Sequence, residues 1–313
     1  MNLVVALSGG VGGAKLALGL SRVLPEGALL VVANTGDDFE HLGLSISPDL
    51  DTLIYALAGL DNPETGWGRR DETWSFMAAL AELGGETWFR LGDRDLATHV
   101  ERTRRLRAGE TLSAVTEDFR RRLGISARIL PMSDDPVRTR LLTGEGWLDF
   151  QHWFVRRQCG PAVRGIAFAG AGQARPQPEV LAALSGGRVR AVVICPSNPL
   201  ISVEPILAVP GLRAAIRGCG APVVAVSPII GGRAVKGPTA KMWRELLGEA
   251  PGAAAVARRY GDLLDGYVMD EADAVEAEGL RPRVALARTL MTTLAEREAL
   301  ARAALDLADS LRA

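Results

Sequence analysis

Short apolar runs rich in valine and isoleucine recur along this chain, and segments with helical periodicity separate them. Runs that are apolar at every position suit strands covered on both faces, as in a parallel sheet. Alternation of such strands with helices predicts an α/β fold with a mostly parallel sheet. The clearest predicted strands are residues 3–7, 29–33, 189–195, 222–226, 264–269 and 283–286.

Helices are predicted in most of the intervening segments. Outside the region discussed next, they cover residues 14–24, 52–60, 210–217, 241–247, 253–260 and 293–311. Between about residues 63 and 124 the alternation stops, and only helices are expected, at 71–83, 95–107 and 111–123. We interpret residues 63–124 as a helical insertion into a core formed by residues 1–62 and 125–313.

Composition excludes several classes of protein. The net charge of −1 does not favour binding to nucleic acid or to a membrane surface. Three cysteines without C-x-x-C spacing argue against a disulfide framework and against a structural zinc site. The N-terminus lacks the pattern of a signal peptide, and the longest apolar runs are too short for a membrane span. We therefore expect a cytoplasmic protein.

The first predicted strand leads into "SGGVGGAKL", which contains Gly9, Gly10, Gly12 and Gly13. The spacing fits neither the G-x-G-x-x-G nor the G-x-x-x-x-G-K-[ST] motif. Glycines allow a ligand to approach the backbone, and the start of the following helix favours a phosphate. We predict a phosphate cradle; the alternative is a tight turn without a ligand. Lys15 either contacts phosphate or points to solvent.

An acidic loop follows the second predicted strand, at "NTGDDFEHLGLSISPDLDTL". It contains Asp37, Asp38, Asp49 and Asp51, whose carboxylates beside a phosphate site are suited to Mg²⁺. Each also has a structural interpretation. Asp49 could cap the following helix, and Asp37 and Asp38 could form a turn. Asp51 is the strongest candidate for contact with metal or substrate.

The segment "LGDRDLATH" places charged residues just before a predicted helix. Arg94 could make a planar, bidentate contact with an anion or a carbonyl-rich ring. In the structural interpretation Asp93 pairs with Arg94 and Asp95 caps the helix. His99 is more typical of a structural role than of a catalytic one.

Two further loops follow predicted strands. "CPSNPLIS" offers Ser197 and Asn198 as hydrogen-bonding groups for a base or a phosphate, or forms an ordinary turn. "SPIIGGRAVKGPTAK" offers Gly231 and Gly232 with two lysines as a second phosphate-seeking loop. Loops that follow parallel strands converge on one crevice at the carboxyl edge of a sheet. "PMSDDP", at residues 131–136, is interpreted as a rigid acidic turn.

Machinery for covalent acyl transfer is not evident. The chain has three histidines, and none lies near an obvious serine or cysteine nucleophile in the sequence. Neither G-x-S-x-G nor H-E-x-x-H occurs. Metal-assisted chemistry on a phosphate group fits these residues better.

Together, "SGGVGGAKL", "NTGDDFEHLGLSISPDLDT", "GWGRRDETW", "LGDRDLATH", "LPMSDDP", "PSNPLISVEPIL" and "VSPIIGGRAVKGP" resemble the 2-phospho-L-lactate transferase family. The resemblance implies a Rossmann-like sheet with a helical insertion, a homodimer and a requirement for Mg²⁺. It further implies transfer of a phospholactyl or phosphoenolpyruvyl group from a guanosine-diphosphate-linked donor, with release of GMP. The acceptor would be a hydroxyl of the deazaflavin Fo (7,8-didemethyl-8-hydroxy-5-deazariboflavin), in the synthesis of coenzyme F-420.

The resemblance also assigns roles to individual residues. Asp51 and Arg94 match positions that contact the deazaflavin, and Asp51 and Asp38 are the catalytic candidates. Asp51 could be a metal ligand or the base that activates the hydroxyl, and these roles compete. Mg²⁺ is expected at Asp38, Asp49 and Asp51. The remaining expected substrate contacts are Gly9, Gly10, Gly12, Gly13, Lys15, Ser197, Asn198, Gly231 and Gly232.

Two alternatives stay open at this point. A related family, the gluconeogenesis-factor type, shares a glycine-rich start and binds a nucleotide sugar in a regulatory role. A dinucleotide-dependent oxidoreductase is disfavoured by the glycine spacing. The identity of the three-carbon acid and the roles of Trp67 and Trp74 are not predicted.

Overall fold

The computed structural model describes residues 2–235 and 237–312. Its strands are β1 (Leu3–Ser8), β2 (Leu29–Ala33), β3 (Phe39–His41), β4 (Leu44–Ile46), β5 (Arg128–Pro131), β6 (Arg138–Thr143), β7 (Gly146–Asp149), β8 (Val163–Ala169), β9 (Val189–Ile194), β10 (Val223–Val226), β11 (Ile229–Ile230), β12 (Arg233–Ala234), β13 (Gly266–Asp270) and β14 (Arg283–Ala287). Its α-helices are α1 (Gly10–Val23), α2 (Pro48–Ala58), α3 (Ser75–Glu82), α4 (Asp93–Arg107), α5 (Leu112–Arg122), α6 (Pro178–Ser185), α7 (Glu204–Ala208), α8 (Leu212–Gly218), α9 (Thr239–Leu247), α10 (Ala253–Tyr260) and α11 (Leu294–Ser310).

Within the described residues, seven parallel strands form the central sheet in the order β14-β13-β10-β9-β1-β2-β5. This confirms the predicted α/β class with its Rossmann-like, parallel sheet, and each of the six predicted strands is present. The chain progresses in one direction from β1 to β2 and β5, and in the other from β9 to β14. The reversal between β1 and β9 is a topological switch point, where open α/β sheets bind ligands.

Helices cover both faces of the sheet. One apolar layer includes Leu16 and Leu20 of α1 and Leu300 of α11, and the other includes Ile216 and Trp243; these residues are at most 1% exposed. A Cβ on Gly19 would lie 2.1 Å from the carbonyl oxygen of Arg297, so this glycine sets the close approach of α1 and α11.

The sequence prediction missed one strand of the sheet and the three-stranded antiparallel sheet β7-β6-β8. β5 is the edge strand next to β2 and ends at Pro131, where a proline without an N–H is tolerated. β6 reads RTRLLT, with every second residue buried. Strands of this half-polar kind lack the apolar runs on which the prediction relied.

The predicted helical stretch contains α3, α4 and α5, as expected. A small apolar cluster of Phe39, Ile46, Met77 and Leu91 lies here, with the Trp74 ring packed against it. Treatment of residues 63–124 as a separate insertion stays a prediction.

No single helix among the residues described is long and apolar enough to cross a membrane. One pair of short helical segments, Pro199–Ala208 and Leu212–Gly218, meets the criteria of length and composition only when combined across an 86° bend.

Candidate functional site

A cleft of about 550 Å³ lies at the switch point, beyond the carboxyl ends of β1, β2, β9 and β10. Its polar wall is formed by the glycine loop, Asp37, Asp49, Ser197 and Asn198. The lining also contains five aromatic residues, Trp67, Trp88, Phe89, Phe150 and Phe154, which we call the aromatic wall. The cleft therefore offers both hydrogen-bonding groups and flat apolar rings.

The glycine loop is packed tightly, and this explains most of its glycines. A Cβ on Gly12 would lie 2.4 Å from the carbonyl oxygen of Pro196, and one on Gly13 would lie 2.6 Å from Ser197 Oγ. Gly9 is similarly confined by Asp49 and Ser202. Gly10 differs, because its φ is +64° and the space in front of it is open. Three of the four glycines thus serve contact between loops, and Gly10 adopts a backbone conformation that favours glycine.

Asp49 occupies the N-terminus of α1. Its Oδ1 accepts a hydrogen bond from the Gly10 N–H at 2.7 Å. The structural interpretation of Asp49 as a cap of its own helix is wrong, because α2 begins at Pro48 and Asp49 lies in its first turn. A proline is favoured at the first position of a helix. Asp49 therefore caps a neighbouring helix at the place where a phosphate would bind.

Asn34 connects the two cleft carboxylates, and sequence reasoning did not select it. Its Nδ2 lies 2.5 Å from Asp37 Oδ1 and 2.9 Å from Asp49 Oδ2. It is fully buried directly after β2. A polar residue at the end of a fully apolar strand is the signal that could have identified it.

The pKa values of these carboxyl groups are raised. For Asp37, burial is the largest cause and the neighbouring Asp49 adds to it. Burial also raises the pKa of Asp49 to about 6, although the Asn34 and Gly10 hydrogen bonds oppose the shift. The two carboxylates repel each other, and a cation would relieve this repulsion.

Asp51 lies on a different side of α2 and is not among the residues that line the cleft. Both of its oxygens accept hydrogen bonds from the guanidinium of Arg102, which is 1% exposed. His99 Nδ1 lies 3.6 Å from Asp51 Oδ2, and His99 Nε2 lies 3.2 Å from Asp95 Oδ2. This buried charge network ties α2 to α4. Sequence reasoning missed Arg102, which sits in the arginine-rich helix α4.

Asp38 is 6% exposed and lines a smaller, adjoining cavity of about 210 Å³. Its Oδ2 accepts a hydrogen bond from Ser47 Oγ at 2.9 Å, and its Oδ1 has no partner in the described part of the chain. Burial, opposed by Arg138, raises the pKa of Asp38 to about 7. The structure thus separates the three aspartates predicted to share Mg²⁺. Among residues 2–235 and 237–312, no three His, Cys, Asp or Glu side chains are grouped to hold a metal.

The other loops reach the cleft to different degrees. Ser197 Oγ accepts a hydrogen bond from the Gly9 N–H at 3.1 Å. The Nδ2 of Asn198 is buried and has no partner among the residues described. Lys15 Nζ donates to the carbonyl oxygen of Met291 at 2.8 Å, and both residues line the cleft.

The second glycine turn already binds an internal anion. The N–H groups of Gly231 and Gly232 donate to the two carboxylate oxygens of Asp273, at 3.0 and 2.8 Å. Neither glycine lines the cleft, whereas Ile230 on the same turn does. Asp273 lies 42 residues after Gly231, and no pattern in the sequence linked the two. Lys236 is outside the described residues.

Arg94 is exposed at the start of α4 and does not line the cleft. Near it, two acidic residues cap the starts of two helices, α4 and α3. Glu72 accepts hydrogen bonds from the backbone N–H groups of Arg94 and Asp95, while Asp93 accepts from that of Phe76. Arg90 is the arginine at the cleft, and its guanidinium lies 4.2 Å from the centre of the Trp74 ring.

Comparison with known proteins identifies the family of the chain. The family model described as 2-phospho-L-lactate transferase CofD matches residues 4–300. The chain belongs to this family. It is 45% identical to the "phosphoenolpyruvate transferase" of Streptomyces griseus, with 99% of each chain covered. It is 39% identical to the protein of the same name from Mycolicibacterium smegmatis, over 97% of this chain and 98% of that one.

A solved structure supports the fold of the family member. A Bacillus halodurans protein of the UPF0052 family superposes with a TM-score of 0.64, covering 97% of this chain and 98% of that chain. At 13% identity, this likeness concerns the fold alone.

Proposed function

We propose that this transferase moves a phospholactyl or phosphoenolpyruvyl group from a guanosine-diphosphate-linked donor to a hydroxyl of the deazaflavin Fo, releasing GMP, in coenzyme F-420 biosynthesis. Family membership supports the transferase activity. The name of the Streptomyces and Mycolicibacterium relatives favours the phosphoenolpyruvyl group over the phospholactyl group.

The single observation that best supports these substrates is the mixed lining of the cleft. The start of α1, Ser197 and Asn198 are suited to a diphosphate and its nucleoside. Trp88, Phe89 and the other rings are suited to a flat heteroaromatic acceptor. A site for the donor alone would not account for the aromatic residues.

The residues present fit a divalent cation, but not the three-ligand set predicted from sequence. Asp37 and Asp49 line the cleft together, and their charges repel each other. Mg²⁺ is commonly held by one or two carboxylates together with substrate phosphates. Asp37 and Asp49 are therefore the residues that would hold it. When bound, it would neutralise charge on the diphosphate.

The chain's own residues would position the reactants, which is the main task of an enzyme in phosphoryl-type transfer. Backbone N–H groups at the start of α1 would hold the donor diphosphate. Asp38 Oδ1 is buried without a partner among the described residues, and we assign to it the proton of the attacking hydroxyl. Asp51 would act indirectly, because its carboxylate is engaged by Arg102.

Binding of Fo to the purified chain, followed by the fluorescence of Fo with and without Mg²⁺ and GDP, tests this proposal. We expect saturable binding of Fo, and binding of GDP that is tighter when Mg²⁺ is present. No binding of Fo under any condition, combined with binding of a nucleotide sugar, would support the regulatory alternative instead. The 45% identity to proteins named as transferases does not favour that alternative.

The homodimer and the cytoplasmic location implied earlier stay part of this proposal. Light scattering on the purified chain would give the oligomeric state.

A further inference from the structure

A side pocket opens beside the main cleft. It is the cavity of about 210 Å³ lined by residues 36–40, 138–139 and 149–152. Asp37, Phe150 and Gln151 line both cavities, so the two adjoin. A ligand in the main cleft could therefore extend a substituent into the side pocket.

The side pocket contains buried polar atoms that have no hydrogen-bond partner among the described residues. Asp38 Oδ1 and Thr139 Oγ1 are buried and have no partner among the residues that the structure describes. Gln151, which is 5% exposed, adds an amide group to the lining. Arg138 donates from Nη1 to the carbonyl oxygen of Val137. Buried polar atoms nearly always have partners, so this concentration points to a polar ligand.

The chemistry of the walls selects the class of ligand. Asp37 and Asp38 would repel a second carboxylate or phosphate, and the positive charge of Arg138 in the same lining already acts on Asp38. Thr139 and Gln151 can each donate and accept, and Asp38 accepts. Neutral hydroxyl groups match this mixture because each donates one hydrogen bond and accepts others.

The residues at the junction of the side pocket and the main cleft indicate which kind of molecule carries those hydroxyl groups. Phe150 lies at the junction of the two cavities, and its ring stacks on Phe154 with a centroid separation of 5.3 Å. Both rings belong to the aromatic wall of the main cleft. A hydroxylated chain in the side pocket would thus be attached to an aromatic ring in the main cleft.

We propose that the side pocket binds the polyhydroxylated chain of the aromatic acceptor, which for Fo is its ribityl chain, and that Thr139 recognises a hydroxyl group there. This inference rests on the proposed function. Thr139 is held in place by its backbone, since its N–H donates to the Gly36 carbonyl oxygen at 2.7 Å. A Cβ on Gly36 would lie 2.7 Å from Thr139 Oγ1, so glycine leaves room for the hydroxyl.

The test compares two ligands and two variants of the full chain. The ligands are Fo and a deazaflavin with a methyl group in place of the ribityl chain, both titrated by fluorescence. Thr139→Val keeps the shape of the side chain and removes the hydroxyl. We expect it to weaken Fo about fivefold to tenfold, the value of one hydrogen bond, and to leave the methyl analogue unchanged.

Thr143→Val is the matched control. Thr143 lies on the same strand, and its hydroxyl donates to the carbonyl oxygen of Gly146 at 3.0 Å, away from the side pocket. It should leave the affinity for both ligands unchanged. The inference would be overturned if Thr139→Val bound Fo as tightly as the wild type, or if it lost affinity for both ligands equally. In either case, binding of Fo by the wild type would still uphold the proposed function. Failure of the wild type to bind Fo would overturn both.

Discussion

Asp49 and Asp51 stand two residues apart on α2, both almost fully buried, and their surroundings are opposite. Asp49 faces the cleft, where it meets Asn34 and the Gly10 N–H without any ion pair to a described residue. Asp51 faces α4, where Arg102 binds both of its oxygens. Residues two apart on a helix do not share a face, and this separates the two carboxylates.

The comparison shows how one short acidic motif can serve two purposes. Asp51, which pairs with Arg102, holds the helix in place. Asp49, which has hydrogen bonds but no ion pair to a described residue, keeps its capacity to bind a cation. Proximity in sequence therefore does not make Asp49 and Asp51 one metal site.

Asp51→Asn should have the largest effect of the variants considered, and we expect it to lower the free energy of unfolding. It leaves the buried Arg102 without its counter-charge, which costs about 3–5 kcal/mol. Chemical denaturation would measure the free energy of unfolding, with Arg104→Gln as a control, since Arg104 forms an exposed pair on the same helix. Unchanged stability with turnover per folded molecule reduced by orders of magnitude would instead place Asp51 in the chemistry, as the resemblance implies.

Asp49→Asn should have the opposite profile. We expect turnover to fall about a hundredfold or more, because a ligand of the Mg²⁺ that would neutralise the donor diphosphate is lost. The free energy of unfolding should not fall, because the variant removes a repulsive carboxylate and keeps its hydrogen-bonding shape. Steady-state kinetics and denaturation on the same preparation separate these effects. Turnover close to that of the wild type would exclude Asp49 from the site.

Asp38→Asn should change how stability depends on pH. Because the folded pKa of about 7 exceeds the ordinary value of 3.8, the folded state binds more protons between these values. The contribution of Asp38 to stability is therefore present below pH 4 and lost as pH rises through 7. In EDTA, the variant should melt on the order of 3 °C above the wild type at pH 8 and no higher at pH 4. A melting difference independent of pH would contradict this.

Glu72→Ala should have the smallest effect on stability. It weakens the start of α4 and leaves the Asp51–Arg102 pair intact, so it separates the contribution of the cap from that of the pair. Glu72 caps α4 through the N–H groups of Arg94 and Asp95. Loss of a cap costs about 1 kcal/mol. Thermal denaturation should show a small decrease in Tm, and turnover per folded molecule should stay the same. A loss as large as that of Asp51→Asn would mean that the cap, rather than the Arg102 pair, anchors α4.

The sequence predicted the elements of the fold better than the partners of its charged residues. Apolar runs identify β1, β2 and β9 because burial on both faces leaves a local pattern. The ion pair of Asp51 with Arg102 and the hydrogen bond of Gly231 with Asp273 join residues that are 51 and 42 positions apart, so no local pattern indicates them. Asn34 and the aromatic wall could have been suspected from polar and aromatic residues near strand ends, but their convergence is a property of the fold.

The packing of Gly9, Gly12 and Gly13 against residues that follow β9 also bears on how this family changes over evolution. A descendant that lost its substrate would still need these three glycines, because a side chain at any of them would push the two loops apart. The glycine-rich start is thus a requirement of the architecture as much as of the ligand. Trp67 of the aromatic wall, at 45% exposed, carries no such constraint and could change with the substrate.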